Sequence, residues 1–127
     1  KLVRITNTLV DHGINSVGIM SNDPSEYTED SFENMHKVVV KNKFSFPYLY
    51  DETQEVAKKY GAVCTPDFFG YNEMLKLQYR GRLDATRMTE ASNDLKPELL
   101  EAMIQISQTG EGPVEQTPSV GCSIKWK

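Results

Sequence analysis

An α/β fold with a mixed sheet is what this sequence predicts, and three observations carry the prediction. Apolar residues recur at helical spacing in some stretches and in short strand-like runs in others, giving the order helix, strand, helix, strand, helix, strand, strand, helix. Ser16 to Met20 has the continuous apolar character of a buried parallel strand, whereas Leu75, Leu77 and Tyr79 alternate with Lys76, Gln78 and Arg80 as half of an antiparallel hairpin does. Between these lies Tyr60 to Asn72, Tyr-Gly-Ala-Val-Cys-Thr-Pro-Asp-Phe-Phe-Gly-Tyr-Asn, in which Pro66 stands at the mouth of a strand. Proline lacks the amide hydrogen that a ladder needs, so it belongs at a first residue, an edge or a bulge. A cis Thr65-Pro66 bond would turn the chain sharply and expose the backbone of Thr65 to a partner chain. A trans bond would give an ordinary turn, and both readings stay open.

The elements follow in order. Lys1 to His12 places Leu2, Ile5 and Leu9 at helical spacing, flanked by Val3, Thr6 and Val10, with Gly13 as the C-cap. Ser16 to Met20 is the first strand, closed by Ser21-Asn22-Asp23-Pro24. Asp30 and Glu33 form a capping arrangement for a helix reaching Asn42, with Phe32, Met35, Val39 and Val40 as its inner stripe and His36 at the stripe's boundary. Phe44 to Tyr50 is a strand, and Asp51 caps a short helix from Thr53 to Tyr60 whose Val56, Ala57 and Tyr60 face inward before Gly61 ends it. Phe68 to Tyr71 and Leu75 to Arg80 form a hairpin around Asn72-Glu73. Asp94 caps a last helix with Leu95, Leu99, Leu100, Met103, Ile104 and Ile106 on its apolar face, Pro97 in its first turn and Gly110 at its end. Residues 1–110 thus read as one domain, and 111–127 as an irregular tail anchored by Ile124 and Trp126.

Composition excludes several classes of function. The chain has 127 residues, 39% hydrophobic and 25% charged, which suits one globular domain. Its net charge of -4, with scattered Lys and Arg, argues against a nucleic-acid partner. No apolar run approaches the roughly 20 residues that span a membrane. Two cysteines, Cys64 and Cys122, are too few for a disulfide scaffold, and neither lies in a metal-ligand cluster; no metal and no cofactor are expected.

The phrases Phe-Pro-Tyr-Leu-Tyr-Asp (46–51), Tyr-Gly-Ala-Val-Cys-Thr-Pro-Asp-Phe-Phe-Gly (60–70) and Gly-Cys-Ser-Ile-Lys-Trp-Lys (121–127) resemble the thioredoxin-like superfamily, in a bacterial subgroup of the AhpC/TSA and TlpA-type redox proteins. The resemblance implies a three-layer α/β fold with a mixed central sheet. It also implies a further strand and a redox Cys-X-X-Cys ahead of Lys1, so that the fold is expected to be incomplete at its N-terminus. The expected partner is a thiol or disulfide substrate, protein or small molecule, in the cytoplasm. Thr65 and Pro66 are the expected substrate-binding residues, since an exposed backbone edge can pair with an incoming chain. Cys64 reads as a participant in thiol exchange or as a buried space-filler. Cys122 reads as a resolving thiol that attacks a sulfenic acid or mixed disulfide, or as a tail cysteine without a role. Asp67 reads as a proton relay or as a solvent-facing strand residue, and Arg80 and Arg82 as exposed. Typical peroxiredoxins resemble one another in carrying an Arg where this chain has Thr65-Pro66, a departure that favours thiol–disulfide exchange over peroxidase activity. A non-catalytic binding module on the same fold is the remaining alternative.

Overall fold

Residues 2–25, 28–85 and 96–127 are described by the computed structural model. They form two units, one built from residues 1–11, 15–63 and 123–127 and the other from 12–14 and 64–122.

In the first unit, α1 (Leu2–Asp11) buries Ile5, Thr6 and Leu9, and Gly13 follows it at a φ of 75°. Strand β1 (Gly18–Met20) pairs in parallel with β2 (Tyr48–Tyr50), Gly18 against Tyr48 and Met20 against Tyr50. Of β1 only Met20 is buried; Ile19 and its partner Leu49 are both exposed, so the run expected to be buried on both faces is covered on one. Helix α2 (Phe32–Asn42) is capped by Ser31, whose hydroxyl accepts from the Asn34 amide at 3.2 Å, and not by Asp30. Asp30 belongs to the preceding single turn of 3-10 helix, Thr28–Asp30, and its carboxylate accepts from the Asn22 side chain instead. Met35 is the buried residue of α2; Phe32 and Val40 point outward, and the exposed His36 lies edge-on to Phe32.

Asp51 caps α3 as expected, but at longer range. Gln54 takes a left-handed conformation, so the helix begins at Glu55 rather than Thr53 and runs to Tyr60. The Asp51 carboxylate then accepts from the amides of Ala57 at 2.9 Å and Val56 at 3.3 Å, and from the Ser21 hydroxyl at 2.8 Å. Only Ala57 of the three residues expected to face inward is buried.

The last residues of the chain complete this unit. Ile124 is buried and its amide donates to the Val63 carbonyl at 3.0 Å. Lys125 donates to the Asn22 side chain, and its carbonyl accepts from the Asp23 amide and from the Gln54 side chain. The Lys127 amide donates to Gln54 Oε1, and Lys58 lies over the Trp126 ring. Of the two anchors expected of the tail, Ile124 is buried, whereas Trp126 is exposed with Lys58 over its ring.

In the second unit, β4 (Phe68–Tyr71) and β5 (Leu77–Gly81) form an antiparallel hairpin with Phe69 opposite Arg80 and a bulge at Gly70/Tyr71. The strand starts at Leu77 rather than Leu75, because Leu75 takes a φ of 60° in the turn. Asn72 organises that turn, its side-chain oxygen accepting from the amides of Met74 and Lys76. Helix α4 (Glu98–Thr109) buries Leu99, Ala102, Met103 and Ile106. Its expected cap Asp94 and Leu95 lie outside the described residues; Pro97 stands at the N-cap position. Tyr79 is fully buried and donates to the Arg82 carbonyl at 2.6 Å. Arg82 is not free in solvent but grips Glu98 through a fork of short contacts, 2.7 Å from Nη2.

The segment 112–121 has no regular structure, yet it runs along β5. The Arg82 amide donates to the Thr117 carbonyl and the Arg80 amide to Gln116 Oε1, while Gln116 Nε2 and Ser119 Oγ donate to the carbonyls of Gln78 and Gly81. These bonds occupy donors and acceptors that an edge strand would otherwise leave open.

Candidate functional site

The residues singled out by the sequence meet around Pro66. Strand β3 (Cys64–Thr65) pairs with β6 (Cys122–Ser123), so the two cysteine-bearing segments are neighbours. The Thr65-Pro66 bond is cis. Gly121 lies so close to β3 that a Cβ there would overlap the Thr65 carbonyl oxygen and approach Pro66 N at 3.4 Å. The backbone edge expected to be open at Thr65 is covered by the chain's own tail.

The two thiols differ in setting. Cys64 is half-buried and its thiol donates to the Ser119 carbonyl at 3.7 Å. Burial pushes its pKa up and the Asp67 carboxylate adds to this, against the opposing pull of the Gly121 amide and of Arg80. At neutral pH Cys64 is therefore held as the thiol, a poor nucleophile. Cys122 is exposed. Asp67 is not solvent-facing: its side chain is 6% exposed and pairs with Arg80 at 3.4 Å, and Arg80 in turn lies 5.0 Å above the Phe69 ring. Asp67, Phe69 and Arg80 thus form one cluster immediately after Pro66.

Sequence reasoning places Cys64, Thr65, Pro66 and Cys122 at the site but passes over Gly121 and Ser119, which hold the tail against β3. A glycine within an extended segment marks close backbone approach, and Gly121 directly before Cys122 carries that signal. Among the described residues no group of three His, Cys, Asp or Glu side chains is arranged to hold a metal ion, and no helix is long and apolar enough to cross a membrane.

An α/β chain with a hairpin and helix following a Thr-Pro turn, and cysteines on paired strands beside it, has the thioredoxin-like fold. The chain belongs to the AhpC/TSA family, whose sequence profile matches residues 1–85. It is similar to an uncharacterized conserved protein from Geobacillus kaustophilus, at 48% identity and a TM-score of 0.88, over 99% of this chain and 67% of that one. It is also similar to a hypothetical protein from Sinorhizobium meliloti 1021, at 36% identity and a TM-score of 0.88, over 99% of this chain and 69% of that one. No curated protein matches. Family membership supports a thioredoxin-fold redox or peroxidase-like function in general terms.

Proposed function

We propose that the protein carries out thiol–disulfide exchange, with Thr65 and Pro66 as the platform on which the substrate lies and Cys122 as the resolving thiol. The observation that supports this best is the pairing of the Cys122 strand with the Cys64–Thr65 strand, which brings an exposed thiol to the Thr-Pro turn. The attacking thiolate would come from the Cys-X-X-Cys that the resemblance places ahead of Lys1. That thiolate attacks a substrate disulfide, so that the substrate S–S bond breaks, one substrate sulfur leaves as a thiolate and a mixed disulfide forms; the Cys122 thiolate then attacks the upstream sulfur of that mixed disulfide. The bond to the substrate sulfur breaks, a disulfide to Cys122 forms, and the substrate leaves as a thiolate that takes up a proton. A dithiol reductant then returns the two electrons. Cys64, protonated and half-buried, stays out of the cycle.

The test is peptide mapping of every cysteine in the full-length gene product after brief exposure to oxidised glutathione or to hydrogen peroxide. A disulfide that includes Cys122, formed faster with the disulfide than with peroxide, is the expected result. Faster oxidation by peroxide would assign a thiol peroxidase instead. If no cysteine reacts, the protein is a non-catalytic binding module.

A further inference from the structure

The tail does more at β3 than close an edge, and the way it is held shows why. It holds on almost entirely by polar contacts: Ser119 Oγ to the Gly81 carbonyl, the Cys64 thiol to the Ser119 carbonyl, the Arg82 amide to the Thr117 carbonyl, and the Gln116 fork on β5. Its valines contribute nothing, since Val114 is 101% and Val120 91% exposed. A segment held this way forfeits little apolar burial on leaving, because most of its hydrogen bonds can be remade with water.

We propose that residues 117–122 are a built-in occupant of the substrate edge, a pseudo-substrate that must lift before a polypeptide can add to Cys64–Thr65. The polypeptide that replaces it is an extended segment with glycine directly before cysteine. This rests on the thiol-exchange reading only for the identity of the edge. The requirement for glycine comes from the tail's own geometry. At position 121 any Cβ collides with the Thr65 carbonyl, a backbone atom that cannot swing aside, whereas a Cβ added at Gly70 would collide only with the flexible Met103 side chain. A polypeptide that copies the tail's path meets the same carbonyl at the residue before its cysteine. Gly121 is thus both the residue that lets the tail lie down and the one that defines what can take its place. The tethered tail also competes at an effective concentration of order millimolar, so free peptide binds weakly until the tail is displaced.

The experiment uses Gly121→Ala in a Cys122→Ser background of the full-length protein, with iodoacetamide labelling read at Cys64 alone by peptide mapping. The probe is a labelled synthetic peptide copying residues 117–124 with serine in place of its cysteine; lacking a thiol, it reports binding whether or not exchange occurs. In Gly121→Ala, Cys64 should label about tenfold faster than in the parent, as expected when a local opening is eased by about 1.4 kcal/mol. The peptide should bind this variant at least about tenfold more tightly than the parent and slow Cys64 labelling again. The same peptide with alanine in place of its glycine should not bind. Should Gly121→Ala fail to fold, Ser119→Ala combined with Gln116→Ala removes the polar hold without adding bulk and should give the same two changes. Unchanged labelling in a folded variant, equal binding to parent and variant, or equal binding of the alanine peptide would each overturn the proposal. Binding of the peptide with no cysteine exchange in the mapping experiment would leave the pseudo-substrate standing and remove the enzyme.

Discussion

Asp51 and Tyr79 each act through one buried polar group with named partners. Burial alone would push the Asp51 carboxyl up, but hydrogen bonds from Ala57, Ser21, Val56 and Gln54 outweigh it and hold its pKa below the ordinary carboxylate value. A depressed carboxylate contributes stability that is present above its unfolded pKa of about 3.9 and is lost as pH falls through the folded value. Asp51→Ala should therefore lower the unfolding free energy by about 3 kcal/mol at neutral pH, and the difference from wild type should shrink in acid. Urea titrations at neutral and acid pH check both parts. Tyr79 is the opposite case. Burial, aided by the Glu98 charge, raises its phenol to about 12, so the stability it contributes is complete below its unfolded pKa of about 10 and lost as pH climbs through the folded value. Tyr79→Phe should cost about 1 kcal/mol at neutral pH by leaving the Arg82 carbonyl without its donor, and should blunt the alkaline loss that phenolate absorbance and urea midpoints follow in the wild type. Asp51 is legible as a cap because a short acidic side chain before a helix has few other uses. The partner of Tyr79 is not, since a backbone carbonyl leaves no mark on the sequence.

Elements show where patterns inform and where they mislead. The helices of the described residues follow from apolar spacing, and the hairpin from alternation, because burial on one face imposes those periods. The inner stripe of α2 is narrower than its apolar residues suggest: Phe32 and Val40 lie on the outer side, and an exposed apolar residue looks the same in sequence as a buried one. The Ser31 cap is hidden because Asp30 offers an equally good side chain one residue earlier. The tail along β5 is the least legible, its contacts being hydrogen bonds between irregular backbone and strand. Those contacts can be tested at Gly112, where a Cβ would overlap the Gln78 carbonyl. Gly112→Ala should loosen the tail, and amide hydrogen exchange at Arg80 and Arg82, whose N–H groups donate to Gln116 and Thr117, should quicken by about tenfold. Unchanged exchange at both positions would show that the tail does not protect this edge.

Across the whole chain, the α/β class is readable from element order, and the thioredoxin-like fold from the resemblance carried by the phrases at 46–51, 60–70 and 121–127. The division into two units is not, because it depends on contacts between residues far apart in sequence. Each unit takes residues from beyond position 110: the first closes with Ile124 buried and with Gln54 gripping Lys125 and Lys127, the second with 112–121 laid along β5. Removing residues 124–127 should cost roughly 3 kcal/mol through the loss of Ile124 burial and of the bonds to Asn22 and Gln54, measurable as a lowered urea midpoint. The same arrangement bears on synthesis. A domain whose core is complete early in its sequence can fold while later residues are still being added. Here neither unit can, so the ribosome must pass the codon for Ile124 before the first unit has all its buried side chains, and until then the exposed Ile19 and Leu49 share the nascent chain with a core still waiting for its last buried residue.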